Sequence, residues 1–328
     1  MSASSLPLQR IAITGSSGLY GRAVIRSLRT ALPHAVVLGI DAVSPLSHPP
    51  DVFVPVDIRG SGCDAALAAF HPDTILHLAF AVRPSRDAAA ERAVNVEGTA
   101  RVLATAAACG AARLLVASSA TVYGARPDAH APHSETAPLR PRTDYSYAAH
   151  KGEVETLLAA FAAAHPAIAV SWTRPAIVCG PGVRNFLSDI FLTLPCMLLP
   201  DGADTPLQFV HEDDLARATL AILTANARGP FNVAPADALT QRQLARLMGI
   251  PALPVPFAVI NAVSRAWWAL RLPWVRTPPG LAHYLRHPWL VDSSRLTREL
   301  GFAFAHSSRE AFQTVLAPQQ PGVDSPAA

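Results

Sequence analysis

Half of the 328 residues are hydrophobic and 16% are charged, which excludes global disorder and allows one large α/β unit with a smaller one attached. The net charge of +3 comes without a basic run, which excludes a surface built to grip nucleic acid. Twelve His show no HExxH or His/Cys ligand spacing, so no metal is expected. Four Cys (Cys63, Cys109, Cys179 and Cys196) without paired spacing predict reduced thiols in a cytoplasmic protein.

In chain order, Met1–Ser5 has neither a basic nor an apolar leader region, so no export signal is expected before the first strand. Strand-like runs at Arg10–Thr14, Val36–Ile40, Val52–Pro55, Thr74–Leu78, Arg113–Ser118, Ala169–Arg174, Gln208–Val210 and Phe231–Val233 alternate with helical stretches. Those helices are expected over Gly21–Ala31, Cys63–Phe70, Ala89–Cys109 and Tyr147–Ala164. The alternation predicts a doubly wound parallel sheet with helices on both faces. After Gly180 the rhythm gives way to Pro- and Leu-rich sequence with few strand signals, and Thr240-Gln-Arg-Gln243 reads as a capping box. The expected division is residues 1–178 with 207–235 in the dinucleotide-binding part, 179–206 with 236–316 in a mainly helical substrate part, and a disordered tail over 317–328. Val255–Leu272 is apolar but interrupted by Asn261, Ser264, Arg265 and Arg271, so no membrane span is expected.

The first strand runs into Thr14-Gly-Ser-Ser-Gly-Leu-Tyr-Gly21. Glycines there permit a tight turn and close approach of backbone to a pyrophosphate, and the following helix offers its N–H groups to phosphate. Gly15, Ser17, Gly18 and Leu19 are the expected contacts. Asp41 ends the second strand, 20 residues past Gly21, where a carboxylate accepts from ribose hydroxyls and repels a 2′-phosphate. NAD is therefore favoured over NADP. A loop-start Asp capping a turn is the plainer reading of Asp41.

With Asp57-Ile58, His77-Leu-Ala79 and Asn95-Val-x-Gly-Thr99 following in order, the chain resembles the extended short-chain dehydrogenase/reductases, and most closely their UDP-glucose/galactose 4-epimerase-like members. The resemblance implies a Rossmann-type fold. It places Asp57 and Ile58 beside the adenine and the strand end Leu78, Ala79 and Phe80 under the middle of the cofactor. Asn95 would steady the central strands beside it, and Ala117 would close a strand at its far end. Packing alone also accounts for His77, and backbone support for Asn95.

Tyr147 and Lys151 lie four apart on one helical face, where an ammonium can lower the pKa of a phenol that is ordinarily a poor base. Lys151 would also bind the nicotinamide ribose. Ser119, before Ala-Thr-Val-Tyr-Gly124, matches the family's substrate-hydroxyl residue, and strand pleat sends Ser118 to the other face. Tyr145 has Ala149 four places on, so it lacks a partner ammonium. Tyr123 is expected to pack. In the block Arg174-Pro-Ala-Ile-Val-Cys-Gly-Pro-Gly182, Pro175 and Ile177 would touch the nicotinamide end and Cys179 is a buried thiol. Asn185 is the matching substrate contact. The pair Asp213/Asp214 would cap the helix after Phe209-Val-His.

Sugar dehydratases of this group carry Asp-Glu after the catalytic Ser/Thr, where this chain has Ala120-Thr121, so dehydration is not expected. The reading is an NAD-dependent epimerase or dehydrogenase acting reversibly at a secondary alcohol of a sugar-like small molecule. Leu207-Gln208 replaces the Arg-Asp that contacts a nucleotide diphosphate in the epimerases. That keeps open an apolar alcohol dehydrogenase/isomerase of the 3β-hydroxysteroid type, whose pocket Phe257, Trp267, Trp268 and Trp274 would roof. A non-catalytic NAD-binding subunit is a third alternative. Relatives pair through helices matching Ala89–Cys109 and Tyr147–Ala164, which implies a homodimer.

Overall fold

The computed structural model describes residues 8–45, 47–129, 132–181, 195–271 and 277–316. Its centre is a seven-stranded parallel sheet. Strands β1 (Arg10–Thr14), β2 (Val36–Asp41) and β3 (Val52–Pro55) run to one side, and β4 (Thr74–His77), β5 (Arg113–Ala117), β6 (Ala169–Pro175) and β11 (Gly229–Val233) to the other. The order reverses between β1 and β4, and such a switch point opens a crevice at the strand ends. β4 and β5 are buried throughout, as expected of strands covered on both faces.

Two helical layers provide that cover. On one face, α1 (Leu19–Ala31) and the later α6 (Glu212–Thr224) pack Val24, Ile25, Leu28, Leu215 and Ile222 against Ile11, Ile13 and Phe231. On the other, α2 (Ser61–Phe70), α4 (Gly98–Ala108) and α5 (Ser146–Ala164) contribute Leu67, Val102, Val154 and Leu158 against Leu38, Leu114 and Val170. Each fully buried aliphatic side chain stabilises by about 1.5–3 kcal/mol before entropy is set against it. The stretch expected as one helix over Ala89–Cys109 is instead α3 (Ala88–Arg92), a wider π turn over Ala93–Glu97, and α4.

The C-terminal part is mainly helical, as expected, and short strand pairs accompany its helices. β7 (Ile177–Cys179) pairs with β10 (Phe209–His211), β8 (Met197–Pro200) with β13 (Ala252–Val255), and β9 (Pro206–Leu207) with β12 (Leu239–Thr240). Strands of two to four residues are too short to leave a period in the sequence. The remaining helices are α7 (Gln241–Met248), α8 (Phe257–Ala269), α9 (Leu281–Arg286), α10 (Ser294–Leu300) and α11 (Ser308–Leu316). Thr240 and Gln243 close the reciprocal capping box at the start of α7. The cap of α6 is not Asp213 or Asp214 but His211, whose Nδ1 accepts from Asp213 N at 3.1 Å. Asp214 is buried and bonded to Arg217, Ala305 N and His306 N, because its place in the first turn aims it at the chain before α11.

Candidate functional site

A cavity of about 630 Å³ opens at the switch point. Its floor begins where β1 meets α1. Gly15 has φ +73°, and a Cβ there would stand 2.5 Å from Ala79 N, so only glycine lets the loop lie against the end of β4. α1 starts at Gly18 without a side-chain cap and without an acidic residue in its first turn. Its N-terminus thus presents backbone N–H groups and positive dipole to the cavity. Gly15, Ser17, Gly18 and Leu19 all line it.

Asp41, Asp57 and Ile58 line the β2–β3 side. Asp41 Oδ2 accepts from Ser17 N at 3.0 Å and Oδ1 from Val43 N at 3.1 Å, tying the end of β2 to the glycine loop. Asp57 pairs with Arg59 at 2.7 Å, and that hydrogen bond holds its carboxyl below the usual range. Leu78, Ala79 and Phe80 form the wall below. His77 does not reach the cavity. Thr99 Oγ1 gives its hydrogen to Asn95 O, so His77 Nε2 donates to Thr99 at 2.9 Å and Nδ1 accepts from Thr14 Oγ1 at 2.7 Å. Burial, assisted by the charge of Lys151, pushes His77 down to about 3, and it stays neutral.

Asn95 is a correction. It lies outside the cavity lining, 1% exposed, with Oδ1 accepting from Ala81 N at 2.7 Å and Nδ2 donating to Ala81 O at 3.3 Å. It secures the wall after Phe80 and does not face a ligand. The π turn that carries it aims the side chain at this loop.

Ser119, Tyr147 and Lys151, the expected reacting groups, line the opposite wall with Ala117, Pro175 and Ile177. Ser119 accepts from Thr121 N and Thr121 Oγ1, and it lines the cavity together with Tyr147. Ser118 turns the other way and donates to Glu155 Oε1 at 2.5 Å. Lys151, 2% exposed, donates to Ala117 O at 2.6 Å and lies 3.4 Å from the centre of the Phe80 ring and 5.7 Å from that of Tyr147. The expected lowering of the Tyr147 pKa by this ammonium is not what dominates. Burial raises Tyr147, with the Ser119 hydrogen bond pulling partly back, and burial brings Lys151 down to about 7 against the charge of Glu155. Both ionised forms have lost water, and desolvation outweighs their mutual attraction.

Asn185 and Trp274 lie outside the described residues. Trp267 and Trp268 do not line the cavity; Trp267 is 49% exposed on the outer side of α8, and Phe257 is buried against His283 and Arg286. Two other aromatic residues hold the substrate side. Tyr145 and Trp289 line it, joined through Tyr284 by ring contacts of 5.7 and 5.3 Å. Tyr145 stands two residues before Tyr147 and was set aside for want of a lysine partner; Trp289 belongs to no motif. Tyr123 is a packing residue, bonded to Asn232 and Arg174 and stacked on His133. Cys179 is buried, and burial pushes its thiol well up, so it is no nucleophile. Gln208 is spent on Pro235 O, Val291 O and Val291 N. Among the described residues no group of metal ligands occurs, and no helix is long and apolar enough to cross a membrane.

The model of the NAD dependent epimerase/dehydratase family matches residues 11–234. An uncharacterised Mycobacterium tuberculosis protein is 31% identical over 260 residues, which is 78% of this chain and 25% of that one. The chain thus spans about a quarter of the length of the mycobacterial relatives that it matches first. A dTDP-glucose 4,6-dehydratase of Streptomyces griseus is 29% identical over 316 residues, 89% of this chain and 88% of its own. Among solved structures, the Thermus thermophilus UDP-glucose 4-epimerase in complex with NAD superposes with a TM-score of 0.70 at 21% identity, over 94% of this chain and 99% of that one.

Proposed function

This chain belongs to the NAD dependent epimerase/dehydratase family, and we propose that it moves hydride reversibly between NAD and a secondary alcohol or ketone of a sugar-like small molecule. The observation that carries this reading is that Ser119, Tyr147 and Lys151 line one wall of a cavity whose other wall is the uncapped start of α1. Residues 1–178 with 207–235 would hold the dinucleotide, and 179–206 with 236–316 the substrate.

The residues fit a dinucleotide. Gly15 lets the loop lie flat against the end of β4 at the cavity floor, and the N–H groups of α1 face a pyrophosphate position. Asp41 stands where ribose hydroxyls donate, and Lys151 stands by the reacting end. When bound, NAD accepts a hydride from the carbinol carbon and can return it. Ser119 holds the substrate oxygen by a hydrogen bond. Tyr147 takes the hydroxyl proton as the carbinol is oxidised and gives it back on reduction. Lys151 stabilises the phenolate through space, and Ala117 O holds its ammonium in place.

Epimerisation or net dehydrogenation, without water elimination, is supported by Ala120 and Thr121, which supply no acid or base after Ser119. The carboxylates lining the described cavity are Asp41 and Asp57, both on the β2–β3 side away from Tyr147. The Streptomyces dehydratase likeness leaves the family name open on this point. An apolar alcohol is the second reading. Gln208 is committed to backbone, Arg286 pairs with Asp201 at 2.6 Å, and Tyr145 and Trp289 line the substrate side. Four free cysteines support a reducing compartment such as the cytoplasm, and exposed alanines such as Ala104, Ala159 and Ala160 support pairing of two copies through α4 and α5.

The test is a panel of UDP-sugars and apolar secondary alcohols, with NAD throughout, read by thermal shift and NADH absorbance. Stabilisation by UDP alone assigns a nucleotide sugar. NADH formation from apolar alcohols only assigns the second reading, and no turnover of any secondary alcohol or sugar removes hydride transfer.

A further inference from the structure

Lys151 is the only lysine in the chain. It is 2% exposed, and an ammonium so deep has given up water that protein groups must replace. Of its three N–H donors, one goes to Ala117 O at 2.6 Å. Among the described residues no carboxylate is ion-paired with it. Glu155, one helical turn on, favours its charge through space but is itself bound to Arg174 of β6, Ser118 and Trp172. From β4, His77 faces it as a neutral imidazole, and Tyr147 of its own helix lies beside it.

What stands over the ammonium is a ring. Lys151 Nζ is 3.4 Å from the centre of Phe80. A cation on an aromatic face within about 6 Å is drawn to the negative side of the ring quadrupole, and more strongly where water is absent. The Phe80 ring also meets that of Tyr147 at 5.5 Å with the planes at 85°, the edge-on arrangement that aromatic pairs favour. Phe80 therefore touches both groups proposed to handle the proton. Its own place is fixed from two sides. Leu78 N donates to Thr14 O at 3.0 Å before it, and Asn95 engages both the N–H and the carbonyl of Ala81 after it. Asn95 thereby steadies the loop that presents the ring.

We propose that Phe80 is a positioning residue: its ring face holds the Lys151 ammonium against Ala117 O, and its contact with the Tyr147 ring keeps the two reacting groups in register. A leucine at this position would exclude water much as phenylalanine does, but it would offer the charge nothing. The purpose of the contact rests on the hydride-transfer reading, in which a charged Lys151 stabilises the Tyr147 phenolate. The contact itself does not depend on that reading.

The test is an NMR titration of the full chain, free of ligands and made with lysine isotopically labelled at Cε. A single lysine gives a single labelled resonance, and its shift follows the charge of the amine directly. Wild type is expected to titrate near pH 7, where burial has brought Lys151 down. Phe80→Leu is expected to move the midpoint down by about one pH unit, the order of a desolvated cation–ring contact. Phe80→Tyr, which keeps the ring face, is expected to titrate as wild type. Phe80→Met is read in parallel, so that one folded variant without a ring suffices, and unfolding midpoints separate lost fold from lost contact. A ring-free variant that titrates as wild type overturns the proposal, because apolar cover would then be enough. A midpoint that rises overturns it too, since the ring would then only keep water out, and so does a Tyr variant that follows Leu. The titration uses neither NAD nor substrate, so absence of alcohol turnover would remove the hydride-transfer reading and leave this result to be judged separately.

Discussion

Glu155 and Arg174 form an ion pair of 2.5 Å with side chains 2% and 4% exposed, one helical turn beyond Lys151. The carboxylate also accepts from Ser118 Oγ and Trp172 Nε1, so it joins the end of β5, the catalytic helix and β6. Arg174 continues the network to Tyr123 and Glu135 O.

Glu155→Gln is therefore expected to destabilise the protein by about 3–5 kcal/mol, because it leaves the Arg174 charge buried and unpaired. Glu155→Gln with Arg174→Met is expected to recover most of that loss. Urea denaturation of the two variants decides it, and equal stability of both would show that the charge pair is not the source.

Tyr147→Phe removes the proposed proton carrier but keeps the ring packed between Phe80 and Tyr145. Turnover is expected to fall by about 10²–10⁴-fold with NAD affinity unchanged. Single-turnover NADH formation and an NAD titration measure the two effects separately.

Lys151 provides a pH signature. Burial lowers it from an ordinary 10.5 to about 7, so between these values the unfolded chain binds more protons than the folded one. Stability of the ligand-free protein is expected to rise with pH through that window, as the folded form sheds a buried charge. Lys151→Met should be the more stable protein at pH 7, with the gap closing toward pH 10. Denaturation midpoints at several pH values check this, and a constant gap would refute the buried ammonium.

Asp41→Ala is expected to weaken NAD by about tenfold or more, the worth of a charged hydrogen bond, and to reduce discrimination against NADP. Part of the effect comes through Ser17 N, which Asp41 holds. Comparative titrations with both dinucleotides measure it, and an unchanged NAD/NADP ratio would place Asp41 away from the ribose.

Much of this site was legible because it is local. The glycine loop, Asp41 and the Tyr147/Lys151 spacing each depend on a few consecutive residues whose backbone geometry follows from type and order. The reversal of strand order that makes the crevice follows from alternating strands and helices. For Asn95 the sequence left cofactor contact and backbone support both open, because a motif position does not say which way a π turn points its side chain. His211 displaced the aspartates as a cap because the strand–helix junction falls two residues before Asp213.

Sequence alone determined the fold class and which residues to expect at the cofactor loop and the reacting position, since periodicity and short-range spacing carry that information. Tertiary structure alone decided how those groups are charged and what lies around them. The pKa of Lys151 depends on Phe80, Ala117 and Glu155 closing over it from three elements. Glu155 meets Arg174 only when α5 packs on β6.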